Sequence, residues 1–215
     1  MSRGLHASRI PLTVKVVYTL YMVILVPVYW RTYGPTNFLY FCDIALFMTW
    51  LALWTESALL VSAAAVGIVL PQVLWAVDFV ATGFGMPLSG MTAYMYDAAL
   101  PLYARFLSFF HFWLPFFLLW LLKRTGYEPR GLPLWTVIAL GVLYLCYFYM
   151  PAPPPPSDNP ALPVNINYVY GFSDQAAQTW MPPLAWFILL QLGLVGLIFL
   201  PSHWLFKRLY HAAPR

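Results

Sequence analysis

Charge is what this sequence has least of. Only 8% of its 215 residues are Asp, Glu, Lys or Arg, against roughly 25% in an ordinary soluble domain. Its 11 Lys and Arg and 7 Asp and Glu cannot cover a globule with polar side chains, which excludes a soluble enzyme. Intrinsic disorder needs low hydrophobicity and high net charge, and here 62% of residues are hydrophobic. Cysteine is nearly absent too. With 2 Cys the chain builds neither a disulfide framework nor a thiolate zinc site. A net charge of +4 is too little and too scattered for a nucleic-acid module. There is no internal repeat and no N-glycosylation acceptor.

What is present is apolar and aromatic, with 10 Trp, 15 Tyr and 16 Phe. A bilayer-crossing helix needs about 20 mostly apolar residues. Such runs occupy residues 12–30, 36–54, 57–80, 101–122, 132–150 and 182–206. The expected fold is therefore all-α: one integral membrane domain over residues 1–215, a bundle of six spans. Residues 91–100 extend the fourth span or form a short interfacial helix. No small-residue cleavage site follows the first run, which reads as a retained helix.

Basic residues set the expected orientation. Arg3, Arg9 and Lys15 precede or open the first span, Lys123, Arg124 and Arg130 follow the fourth, and Lys207, Arg208 and Arg215 follow the sixth. Six spans put all of these on one side, which the positive-inside bias makes cytoplasmic, together with both termini. Only Arg31 and Arg105 fall elsewhere. The outer loops are free of Lys and Arg over residues 82–100 and 151–181. The second of these is a Pro-rich loop or cap. It opens with a stiff Pro151-Ala152-Pro153-Pro154-Pro155-Pro156 stretch and continues into an apolar Val164–Gly171 segment, which either packs on the outer mouth of the bundle or is simply solvated.

An ionisable residue inside a span is costly and marks function or a buried pair. Here these are Asp43, Asp78, Arg105 and His111, with Cys42, Cys146, Ser108, Gln72 and Gln191 as polar companions. Helix rise puts Cys42 and Asp43 about 10 Å below the outer start of their span. Arg105 is about 6 Å down and His111 about 15 Å down. Arg105, Ser108 and His111 share one helical stripe about 120° wide. Arg105 needs an anion, and Asp43, Asp78 and Asp97 are the carboxylates at matching depth.

Two classes of function fit these residues. In one, a Cys42 thiolate is the nucleophile and the His111 imidazole takes its proton. Asp43 or Asp78 orients the imidazole or balances Arg105, and a lipid acyl group passes through a thioester. In the other, Arg105 and a carboxylate only fix helix register, His111 donates to a backbone carbonyl, and Cys42 fills a helix contact. The chain is then a non-catalytic scaffold subunit of a membrane complex, or a lipid-binding module. Membrane lipids are the expected partners in every case, with protein partners added in the scaffold reading. The Trp and Tyr excess is interfacial belt, so no cofactor and no metal are expected.

Three short segments carry a resemblance: Asn37-Phe38-Leu39-Tyr40-Phe41-Cys42-Asp43, Phe106-Leu107-Ser108-Phe109-Phe110-His111, and Asn165-Ile166-Asn167-Tyr168-Val169-Tyr170. Together they resemble the YwaF-like family of integral membrane proteins, which includes an animal transmembrane cysteine acyltransferase of ether-phospholipid remodelling. The resemblance covers residues 36–206. It implies Cys42 as nucleophile and His111 as base, with Asn167 and Tyr168 lining the site, in a protein of the bacterial inner membrane. Tyr40 departs from the family, standing where many bacterial members carry His.

Overall fold

The computed structural model describes residues 10–160 and 162–210. Arg3, Arg9 and Arg215 lie outside the described residues. The described chain is helical, with no strand among the described residues. Five helical segments are long and apolar enough to cross a bilayer: Leu12–Thr32, Ala58–Gly83, Leu102–Thr125, Gly131–Tyr149 and Pro183–Leu209. A sixth apolar helix, Phe41–Thr55, is shorter. The chain is an integral membrane protein built as a helical bundle.

In chain order the helices are α1 (Leu12–Thr32), α2 (Phe41–Thr55), α3 (Ala58–Gly83), α4 (Leu102–Leu107), α5 (Phe110–Thr125), α6 (Gly131–Tyr149), α7 (Pro183–Gly193) and α8 (Leu200–Leu209). A π-helical turn, Leu194–Phe199, joins α7 to α8.

α3 is the axis of the bundle and packs against α2, α5, α6 and α8. Its sequence makes this possible. Ser62, Ala63, Ala64 and Ala65 are fully buried, and small residues let backbones approach where lipid supplies no hydrophobic drive. A methyl group on Gly67 would overlap the Trp135 ring of α6. One on Gly131 would sit 2.8 Å from the Ala63 backbone nitrogen.

The two ends of the bundle differ in charge. At one end lie Lys15, Lys123, Arg124, Arg130, Lys207 and Arg208. There α2 turns into α3 through Glu56, held in the left-handed region at φ 51°. Ser57 caps α3 by accepting the Leu60 N–H at 3.4 Å. Lys15 Nζ reaches across to Glu56 Oε1 at 2.7 Å. We call this the basic end.

The opposite, cap end gathers three short 3-10 turns, Pro35–Leu39, Ala93–Tyr96 and Ile166–Tyr168. Its lid is built on Asn165. The Asn165 side chain donates to Gly171 O at 2.8 Å and accepts the Tyr170 N–H at 2.8 Å. Ile166 and Val169 are fully buried against Leu143, Cys146 and Phe187.

Two expected spans are broken helices. The run read over residues 36–54 turns as a 3-10 helix up to Leu39, changes direction at Tyr40, and is α-helical only from Phe41. Its 15 α-helical residues cover only about 22 Å, less than the roughly 30 Å of a hydrocarbon core. The run read over 101–122 breaks at Ser108–Phe109 into α4 and α5.

Candidate functional site

Both breaks lie at the cap end, and the polar side chains cluster around them. At the first break, the α2 N-terminus exposes backbone N–H groups that have no partner in their own helix. Asn167 supplies one from across the bundle. Its Oδ1 accepts the Phe41 N–H at 3.0 Å, and its Nδ2 donates to Leu39 O at 2.9 Å. Irregular backbone at membrane depth persists only where protein satisfies it, and this side chain does so on both sides of Tyr40.

Cys42 and Asp43 occupy the first turn of α2. Cys42 is half-buried and not disulfide-bonded. Its Sγ lies 3.8 Å from Asp43 Oδ2, which the thiol faces as donor. The Asp43 N–H donates to Tyr40 O at 3.0 Å. Asn37 Nδ2 donates to Asp43 Oδ2 at 3.2 Å. Asp43 is 2% exposed, yet its Oδ1 has no hydrogen-bond partner among the described residues.

At the second break the backbone tightens into i to i+3 bonding. Ser108 N donates to Arg105 O at 3.0 Å, and His111 N donates to Ser108 O at 3.2 Å. In 3-10 geometry residues three apart eclipse one another. Arg105, Ser108 and His111 are therefore aligned more closely than a regular α-helix would align them.

Their side chains nevertheless go separate ways. Arg105 Nη1 donates to Met95 O at 3.1 Å, and its Nε is buried without a partner. Ser108 Oγ shares a 2.6 Å hydrogen bond with Tyr29 OH. His111 Nδ1 donates to Ser108 O at 2.7 Å. Its ring is sandwiched between Trp75 and Phe110, with centroids at 4.4 and 4.0 Å.

Two expected pairings are not made. Among the described residues, Cys42 and His111 share no hydrogen bond. His111 spends its Nδ1 proton on a carbonyl in its own turn, while the thiol faces Asp43. Arg105 forms no ion pair with Asp43, Asp78 or Asp97; its Nη1 donates to Met95 O instead. Asp78 is also fully engaged. It accepts from the Leu88 and Ser89 N–H groups at 2.9 and 2.7 Å. It also accepts from Thr92 N and Thr92 Oγ1 at 3.1 and 2.6 Å. Its carboxylate organises the loop after α3. Tyr168, at φ 64°, accepts the Trp186 indole N–H on its backbone oxygen at 2.9 Å.

Two tyrosines border the second break. Tyr29, hydrogen-bonded to Ser108 Oγ at 2.6 Å, packs edge-on against Tyr33 with ring centroids 5.3 Å apart. The hydroxyls of Tyr33 and Thr36 are buried without partners. Spacing could have paired them: Tyr29 and Tyr33, at the C-terminal end of α1, are four apart and so share a face. Among the described residues, no group of three or more His, Cys, Asp or Glu could hold a metal ion.

A groove of about 360 Å³ opens on the lipid-facing side between α1 and α2, walled by Met22, Val26, Phe47 and Trp50 among others. Phe47 is one turn along α2 from Asp43, so the groove runs from below the polar cluster towards the basic end. No family model, curated protein or solved structure matches the chain.

Proposed function

We propose that this membrane protein transfers or hydrolyses lipid acyl groups at the cap-end site, with Cys42 as nucleophile and Asp43 as its proton acceptor. The observation that carries this reading is the Cys42 thiol 3.8 Å from a buried Asp43 carboxylate at the first turn of a helix. A carboxylate within reach takes a thiol proton as bond formation proceeds. The positive end of the helix supports negative charge on sulfur and on the developing oxyanion.

Cys42 Sγ attacks the ester carbonyl carbon, an S–C bond forms, and the thiol proton passes to Asp43. The tetrahedral intermediate collapses by breaking the ester C–O bond. The departing alkoxide takes the proton back from Asp43, which leaves a thioester on Cys42. An incoming alcohol or water reverses the sequence and frees the acyl group. During this cycle the α1–α2 groove holds the hydrocarbon chain, since its walls are apolar. By the positive-inside bias the basic end faces the cytoplasm and the site opens to the outer leaflet.

Acyl trapping tests the reading. Purified protein is incubated with phospholipid vesicles and its intact mass recorded before and after hydroxylamine. The expected result is an acyl-sized, hydroxylamine-labile increment that disappears in Cys42→Ala. No increment on the wild type, or one that survives Cys42→Ala, ends the thioester reading.

A further inference from the structure

Asn37 and Asp43 are six residues apart in a run that hydropathy reads as one span. In an unbroken α-helix six residues advance about 9 Å and turn about 240°, so the two side chains would leave on different faces. The break at Tyr40 folds the chain so that they meet, and Asn37 Nδ2 donates to Asp43 Oδ2 at 3.2 Å. The turn that carries Asn37 is fastened along its length. Gly34, at φ 85°, redirects the chain after α1. The Asn37 N–H donates to Gly34 O at 3.3 Å, and Asn37 O accepts the Tyr40 N–H at 3.1 Å. Phe38 packs on Trp30 of α1 and on Phe47 of α2, with ring centroids 6.3 and 5.6 Å away. Asn167 Nδ2 holds Leu39 O at the end of the turn. Asn37 itself is buried.

The oxygen that Asn37 holds is the one that matters for the thiol. Cys42 Sγ faces Asp43 Oδ2 at 3.8 Å, whereas Oδ1 has no partner among the described residues. Amide and thiol therefore converge on a single oxygen. Rotation of a carboxylate about its Cβ–Cγ bond is soft and roughly two-fold, so nothing within Asp43 decides which oxygen the sulfur meets, or at what angle. An amide anchored in a fastened turn does decide it. We propose that Asn37 is a positioning residue for the chemistry at Cys42, acting only through Asp43 by holding Oδ2 towards Sγ. This role presupposes the Cys42–Asp43 reaction described above. It also gives the broken helix a purpose, because a continuous span could not bring residue 37 onto the first turn of α2.

A double-mutant cycle tests this on the full chain in detergent. Asn37→Leu, which removes the donor at similar size, and Asp43→Asn are made singly and together. Two rates are recorded for each: formation of the hydroxylamine-labile adduct from phospholipid vesicles, and alkylation of Cys42 by a small methanethiosulfonate. Asn37→Leu alone is expected to slow adduct formation at least about tenfold, the worth of one hydrogen bond to a charged group. It is expected to change the alkylation rate at least about threefold, a coupling typical of residues in contact. In the Asp43→Asn background the same substitution alters neither rate, because its effect passes through the carboxylate. Asn37→Gln, which keeps an amide there, forms the adduct faster than Asn37→Leu. Equal changes with and without the Asp43 carboxylate overturn the proposal, since they mark a structural role. So does an Asn37→Gln protein as slow as Asn37→Leu. An adduct that forms on the wild type at a rate indifferent to Asn37 overturns it as well, and leaves the thioester reading standing. If the wild type forms no adduct, the thioester reading falls, and the alkylation cycle alone decides whether Asn37 sets Asp43 against the thiol. Unchanged melting temperatures of the variants establish that each change is one of rate rather than of fold.

Discussion

Asn167 shows how much one side chain can hold. Its backbone lies in the left-handed region at φ 58°, which Asn tolerates better than most residues. That conformation turns its amide into the break between Leu39 and Phe41. The resemblance placed Asn167 at the lining of the site; its bonds show a clamp on the backbone that presents Cys42. Asn167→Ala strips both bonds and leaves a buried N–H and C=O unmatched, a cost of about 1–3 kcal/mol for each unsatisfied group. Cys42 alkylation by a small methanethiosulfonate is then expected to speed up severalfold as the α2 N-terminus loosens. Asn167→Asp, which keeps the oxygen that accepts the Phe41 N–H, is expected to fall between. Unchanged Cys42 reactivity in Asn167→Ala would show that the clamp does not control the thiol. The residue scale also marks where sequence reading ran out. Depth and sign correctly brought Cys42, Asp43, Arg105 and Ser108 to the cap end. Which acceptor each donor chooses depends on backbone carbonyls such as Met95 O and Ser108 O, and no side-chain pattern encodes those.

Among the elements, α3 and the two broken helices decide the architecture. Hydropathy read the long apolar runs well, because any helix in lipid must satisfy its own backbone and bury or face its apolar side chains accordingly. It could not see the breaks at Tyr40 and at Ser108–Phe109. Neither a Tyr nor a Ser–Phe pair ends a helix by itself, and the irregular backbone is stabilised by partners remote in sequence. Tyr29 binds Ser108 from 79 positions away, and Asn167 binds Phe41 from 126 positions away. The small-residue face of α3 is legible in Ser62-Ala63-Ala64-Ala65-Val66-Gly67, but its partner is not. The structure sets Trp135 of α6 directly on Gly67. Gly67→Ala is therefore expected to push α6 away from α3 and to cost about 1–3 kcal/mol by overpacking. Thermal unfolding followed by tryptophan fluorescence measures this, and pairing it with Trp135→Phe should recover part of the loss. A Gly67→Ala protein that melts with the wild type would contradict the packing.

On the scale of the whole molecule, charge sorts by end. Both Glu residues, Glu56 and Glu128, sit with the basic side chains, while Asp43, Asp78, Asp97, Asp158 and Asp174 belong to the other end of the bundle or its loops. The sequence already contained this division, because charges in a membrane protein are few and each is confined to a loop or a helix end. The proposed orientation makes a direct prediction. In a Cys42→Ala, Cys146→Ala background, Ser157→Cys in the lid is expected to react with a membrane-impermeant maleimide on intact cells. Gly126→Cys at the basic end should react only after permeabilisation, and the reverse pattern would invert the topology. In the proposed chemistry the thiol works with the carboxylate beside it and not with the imidazole stacked on Trp75 and Phe110. The most direct test is the rate at which the hydroxylamine-labile adduct forms on Cys42 in two variants. Asp43→Asn removes the proton acceptor, and His111→Phe keeps the stacked ring but not its nitrogens. The expected result is a loss of at least about a hundredfold in Asp43→Asn, within the range for general acid–base groups, and a rate within about twofold of wild type in His111→Phe. Retained acylation in Asp43→Asn with its loss in His111→Phe would contradict it.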